Sequence, residues 1–193
     1  MSEHPYDERE LPPALGLVLD EGRGALPYAL IHGEALVACA AWALGDAGVT
    51  PVDVGVPWSS LQTVDEAVVL HDSLCPMTPP DFIAECVRRA VTDGVVVAGV
   101  RPVTDTVKVL HGDTLGETVD REALARVVSP VVVPAVRVDG AAALLSDPGI
   151  DLAALVEALR ADGPVVLLEA PPEAMRVSGP DDVRVLEALT RPV

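Results

Sequence analysis

Lysine is nearly absent from this chain: of its 13 basic residues only Lys108 is a lysine, and the rest are arginines. Enzymes that move nucleotidyl or phosphoryl groups commonly hold the polyphosphate with a lysine beside a glycine-rich loop, because a compact ammonium neutralises charge on the leaving oxygens. A single lysine is left for such a role. The arginine excess, with abundant Ala and Val, also fits the codon bias of a GC-rich genome. Cysteine is scarce too. Cys39, Cys75 and Cys86 are odd in number, widely spaced and outside any CxxC pair, a pattern that indicates neither a disulfide framework nor a zinc site. Positive charge is lacking overall: a net charge of -17 and a pI near 4.3 repel nucleic-acid backbones and anionic membranes, so neither is an expected partner. The same charge opposes a triphosphate at long range, so a nucleotide site needs clustered arginines or a bound divalent ion. No apolar run reaches the roughly 20 residues of a membrane span. The first residues, MSEHPYDERELPP, lack the basic start and apolar run of a signal peptide. These absences together lead to the expectation of a soluble protein of the reducing cytoplasm.

What the chain does have is apolar: 193 residues, 50% hydrophobic, enough for one good core. A polar, flexible tail is expected at 1–13 and a single domain at 14–193. Strands are expected at 15–20, 50–56, 66–72 and 95–100, and at 131–138, where Pro134 argues for an edge position. A hairpin is expected around HGDTLG, and a last strand at PVVLLEA. Helices are expected at 35–44, at FIAECVRRAVTDG with Asp81 as cap and Gly94 at the C-terminus, at 121–128, 140–146 and 151–161, and at DVRVLEALT behind a cap at Asp181. Cys86, in line with Phe82, Ile83 and Ala90, reads as a core thiol, and Trp42 as a core residue of an Ala-rich helix. His32, His71 and His111 lack metal spacing and read as turn or cap residues. Trp58 and Tyr28 are the aromatics able to stack a base, a weak signal.

Strands and helices alternate, which gives an α/β fold of three layers with a mostly parallel sheet. Ligands on such sheets bind outside the carboxyl ends of the strands. The informative residues are therefore those of the loop from 20 to 28, the HDSLCP turn, PVTDTVK, and MRVSGP.

At those places the sequence resembles the 2-C-methyl-D-erythritol 4-phosphate cytidylyltransferases of the non-mevalonate isoprenoid pathway. VLHDSLCPMTPP is similar to their strand ending in HDAARP. PVTDTVK followed by TVDREAL is similar to their PV-x-DT-x-K and TVDR elements, and EAMRVSGPDDVRVLEAL to their closing segment. The resemblance implies a nucleotidyltransferase fold of Rossmann type, CTP as nucleotide, a divalent metal such as Mg2+, and a dimer held by a projecting β-arm. It makes Asp72 the metal-binding carboxylate and places Asp105, Thr106, Lys108 and Arg121 at the phosphosugar. Gly22 and Gly24 fall in the nucleotide loop, and Arg23 and Arg176 are the candidate catalytic cations.

The departures are specific. Where the family has AAGxGxRxG ending in P-K, this chain has LDEGRGALPY, so Asp20 and Glu21 face a polyanion and Tyr28 takes the place of the catalytic lysine. Cys75 replaces an arginine, and Arg176 a lysine. Between Val56 and Glu66 little room remains for a base-reading loop, although Ser59 and Ser60 are present. Losing one preorganised charge typically costs about 2.7 to 4 kcal/mol of barrier. Two readings follow: a catalytically impaired family member that binds a small phosphorylated ligand or regulates, or an active metal-dependent nucleotidyltransferase. A homodimer, or a heterodimer with a true family enzyme docked through 105–138, is the expected assembly, the latter favoured if Val131–Val133 are exposed.

Overall fold

The structure is a computed structural model and describes residues 11–53, 56, 58–61, 63–104, 106–145 and 149–191. Its elements are, in chain order, β1 (Ala14–Leu19), β2 (Leu30–Ile31), β3 (Glu34–Ala35), α1 (Leu36–Asp46), β4 (Thr50–Pro51), α2 (Trp58–Leu61), β5 (Ala67–Asp72) and α3 (Pro80–Asp93). They continue with β6 (Val96–Pro102), β7 (Val107–His111), β8 (Thr114–Val119), β9 (Ala125–Val133), α4 (Ala135–Leu145), α5 (Leu152–Asp162), β10 (Val165–Glu169) and α6 (Pro180–Leu189).

Six strands form one sheet in the order β10-β6-β9-β5-β1-β4. All neighbours run parallel except β9, which is antiparallel to both β5 and β6. The side-chain period of a strand is two, so adjacent residues serve opposite faces. Val69, Val97 and Val132 pack in one core cluster with Ile83, Cys86 and Val87 of α3. Val68, Leu70, Val96, Ala98, Val131 and Val133 pack in the other with Leu155 and Leu159 of α5. Runs of valine suit strands covered on both faces, and each fully buried valine contributes about 1.5 to 3 kcal/mol.

The expected α/β architecture is thus present, with several local corrections. Residues 124–128 are not helical: a 3-10 turn, Arg121–Ala123, leads straight into β9. The strand expected at 131–138 is β9 only as far as Val133, and 135–138 open helix α4. β9 is central rather than an edge strand, because Pro134 lies just beyond its end, where no ladder hydrogen bond is lost. Val131–Val133 are buried between β5 and β6, which removes the exposed run that a heterodimer would have used. Asp81 and Asp181 do not cap. Each sits in the first turn behind a proline, where its charge still opposes the helix dipole. Gly94 does end α3 in the left-handed conformation, at φ 63°. Trp42 is 53% exposed, since the Ala-rich helix buries its other side. The strand expected at 50–56 shrinks to β4, with residues 54 and 55 outside the described residues. Of the tail, Leu11 already packs on the first core cluster, and residues 1–10 lie outside the described residues. No helix among the described residues is long and apolar enough to cross a membrane.

Candidate functional site

Parallel pairing of β1 and β5 puts Leu19 opposite Asp72, so the loop after β1 and the turn after β5 leave the sheet side by side. The loop turns through Gly22 and Gly24, at φ 73° and 62°, a region that glycine enters without a Cβ penalty. Between them Arg23 folds inward. Its Nε donates to Asp72 Oδ1 at 2.8 Å, one terminal nitrogen donates to the Glu21 carbonyl, and the other to the Ile150 carbonyl at 3.2 Å.

A second arginine reaches the same carboxylate: Arg176 Nε donates to Asp72 Oδ2 at 3.0 Å. Its position follows from a third apolar cluster, where Leu74 and Val177 pack with Val183 and Leu186 of α6. The Val177 N–H donates to the Leu74 carbonyl at 2.7 Å, pinning the segment after β10 beside the turn after β5. The Leu74 N–H also donates to Asp72 Oδ1 at 3.0 Å, and the Asp72 N–H to Ser129 Oγ at 2.6 Å. Burial alone would raise the Asp72 carboxyl, but the Arg23 and Leu74 hydrogen bonds and the two guanidinium charges outweigh it and hold the group below its ordinary value. Beside this triad opens a cavity of about 420 Å3, whose wall includes Asp72, Arg126, Arg176, Ser178 and the α5 cap Asp151.

A carboxylate offers about four lone-pair positions. Arg23 and Leu74 take both on Oδ1, Arg176 takes one on Oδ2, and one remains. No group of three or more His, Cys, Asp or Glu is placed to hold a metal among the described residues. The donor set does not fit a metal held by protein alone. It fits Mg2+ arriving with phosphate oxygens, to which Asp72 would give one bond.

The other expected residues are elsewhere. Thr106 and Lys108 are exposed at the start of the β7–β8 hairpin, and Arg121 at its far base donates to the Thr104 carbonyl at 2.8 Å. None of the three lines the Asp72 cavity. Asp105 lies outside the described residues. Tyr28 is 63% exposed and donates to Asp20 Oδ2 at 3.1 Å, an interaction that raises its phenol. Cys75 is buried, and desolvation pushes its thiol up to about 12, which makes it inert. His71 is no cap: it is fully buried in β5, with neither ring nitrogen partnered among the described residues. Sequence reasoning missed Arg126, Ser129 and Ser178. Reading 121–128 as a helix hid the two-residue spacing that puts Arg126 and Val128 on one face of β9, which was the available signal.

Comparisons with known proteins converge. Residues 46–191 match the family model described as IspD: 2-C-methyl-D-erythritol 4-phosphate cytidylyltransferase. The 2-C-methyl-D-erythritol 4-phosphate cytidylyltransferase of Corynebacterium diphtheriae is 36% identical over 142 residues, covering 69% of this chain and 57% of that protein. That of Corynebacterium efficiens is 35% identical over 143 residues, covering 69% and 56%. The chain spans about half the length of the curated relatives it matches. The crystal structure of the Thermus thermophilus 2-C-methyl-D-erythritol 4-phosphate cytidylyltransferase superposes with a TM-score of 0.70 at 24% identity, covering 92% of this chain and 98% of that one. At that identity the likeness speaks for the fold.

Proposed function

Because the chain belongs to the IspD family of 2-C-methyl-D-erythritol 4-phosphate cytidylyltransferases, we propose that it transfers a cytidylyl group from CTP to a phosphomonoester such as 2-C-methyl-D-erythritol 4-phosphate. In that reaction a phosphate oxygen of the acceptor attacks the α-phosphorus of CTP. The bond from that phosphorus to the β-phosphate bridge oxygen breaks, and pyrophosphate leaves with the electron pair. The observation that carries this reading is the clamp of Arg23 and Arg176 on Asp72, at the carboxyl ends of β1 and β5, beside a cavity of ligand size. Arg176 has capacity to spare: among the described residues only its Nε is bound, which leaves two terminal nitrogens that could fork onto phosphate oxygens. Asp72 keeps that fork oriented. Bound magnesium would neutralise charge on the phosphates.

A second reading, a family member that binds ligand with little turnover, has its own observation. All three Arg23 nitrogens are already satisfied within the protein, and the loop adds Asp20 and Glu21 where a triphosphate would lie. One experiment separates the two. Purified protein with CTP, magnesium and 2-C-methyl-D-erythritol 4-phosphate is assayed for pyrophosphate, beside Asp72→Asn with its melting temperature as control. Release above blank that is lost in a folded Asp72→Asn supports transfer, whereas calorimetric CTP binding without release supports the second reading.

We further propose a homodimer formed through the β7–β8 arm. Leu110 and Leu115 near its tip are 65% and 69% exposed, more apolar surface than a free hairpin gains from showing to water. Light scattering should give twice the chain mass, and Leu110→Ser with Leu115→Ser should return it to one.

A further inference from the structure

The six-stranded sheet has two edges, and they are built differently. β4 is two residues long and ends in Pro51, so it offers another chain almost no ladder. β10, at the opposite edge, is five residues long, VVLLE, and pairs with β6 without a register shift. It carries no proline, lysine or bulge, the devices that usually blunt an edge, and its one charge is Glu169 at the end. The Ala170 N–H donates to the Val100 carbonyl at 2.8 Å, so alternation along the strand aims the N–H and C=O groups of Val165, Leu167 and Glu169 away from β6. Those groups have no hydrogen-bond partner among the described residues. Leu167 is 44% exposed beside them.

At the carboxyl end of β10 this edge runs into a hollow of about 690 Å3 between residues 169–173 and the start of α3. Asp81, Glu85, Glu169 and Glu173 stand in its wall, and among the described residues no ion pair engages any of them. Arg101 is the one cation there, and a terminal nitrogen of it is committed to the Ala170 carbonyl at 2.9 Å. Low-dielectric walls lined mostly by one sign concentrate a field that favours the opposite charge. A second copy of this chain, at a net charge of -17, is a poor occupant for such a place. We propose that the β10 edge takes up an extended segment of a partner protein as a further strand. The segment's backbone pairs with Val165, Leu167 and Glu169, an apolar side chain covers Leu167, and a lysine or arginine enters the acidic hollow. Main-chain pairing supplies affinity in this mode of recognition, and the side-chain sites supply selectivity. No residue of β10 lines the Asp72 cavity, so the proposal stands or falls apart from either reading of catalysis.

The probe is the acetylated and amidated peptide Arg-Arg-Val-Thr-Val-Thr-Val, whose arginines reach the Glu169 end when it pairs antiparallel to β10. Fluorescence anisotropy of a labelled copy should show binding, and amide exchange at Leu167 and Glu169 should slow at saturating peptide. The same peptide N-methylated through its Val-Thr part keeps its charge but cannot donate to the edge, and it should bind about ten-fold more weakly. Glu169→Gln combined with Glu173→Gln should weaken the parent peptide about five-fold and leave the melting temperature unchanged, since neither carboxylate holds an ion pair among the described residues. Equal binding by the methylated peptide would reduce the site to charge attraction and overturn the proposal. So would the absence of binding at millimolar peptide, or exchange at Leu167 that slows with protein concentration alone, which would give the edge to a second copy.

Discussion

Arg23 and Arg176 hold one carboxylate from opposite ends of the chain, at different depths. The Arg23 side chain is 5% exposed and spends every nitrogen inside the protein, on Asp72, Glu21 and Ile150. The Arg176 side chain is 34% exposed, spends one nitrogen among the described residues, and borders the Asp72 cavity. The same residue type on the same partner thus serves two ends. Arg23 ties the loop after β1 to the sheet, and Arg176 keeps donors available for a ligand. A buried ion pair adds little net stability over an apolar replacement, but breaking one strands the remaining charge.

That asymmetry breaks first at its shared partner. Asp72→Ala leaves Arg23 buried without its counter-ion and should destabilise the protein by about 3 to 5 kcal/mol, measured by urea unfolding. A loss below about 1 kcal/mol would mean that Arg23 swings out to water and that the depth contrast is unreal. Next comes the half-exposed partner. Arg176→Ala should cost at most about 1 kcal/mol of stability but reduce pyrophosphate release by about 100- to 1000-fold. If Arg23→Ala proved equally damaging to the rate without unfolding, the division of labour would have to be withdrawn.

How far the sequence foretold this contrast depends on which interactions are local. β1, β5, β6, α3 and α5 were readable because their apolar periodicity is set within the element, and the order of motifs around HDSLCP and PVTDTVK pointed to the family. The depth of Arg23 was not readable, because it depends on Ile150, which lies far along the chain and meets the loop only in the fold. β9 was misread at its start for the same reason. Ala125–Val128 have helix-compatible residues, and only pairing with β6 makes them extended. Tertiary pairing also explains His71, which the turn-rich HDSLCP context disguised as a cap.

His71 sharpens the comparison from the side of a buried polar group with no hydrogen-bond partner among the described residues. Burial lowers it from 6.5 to about 4, with the Asp72 charge acting in the opposite direction. Above pH 6.5 both folded and unfolded chains leave the ring neutral. Below it the unfolded chain takes up a proton that the folded chain refuses until about pH 4, so stability falls through that window by about 3 kcal/mol. Asp72, held below its ordinary value, costs stability only further down, as its own carboxyl protonates. Urea midpoints from pH 7 to 4 should show the His71 loss, and His71→Leu should flatten it. A wild-type profile flat across that range would mean that the ring is hydrated or partnered in solution.

The smallest effect is expected at Tyr28, on the same loop as Arg23 but in water. Its bond to Asp20 is exposed, and exposed hydrogen bonds exchange with solvent at nearly no net gain. Tyr28→Phe should therefore leave the melting temperature within about 2 °C of the parent. Turnover should also stay within about two-fold, because a neutral phenol held by a carboxylate contributes no positive charge to a leaving pyrophosphate. Tyr28→Lys tests the converse. An ammonium at that position restores the missing charge type, and it should raise pyrophosphate release only if the loop still presents CTP. No gain, together with the Arg176→Ala loss, would place the remaining catalytic charge at the Arg176 end of the Asp72 clamp rather than at the loop.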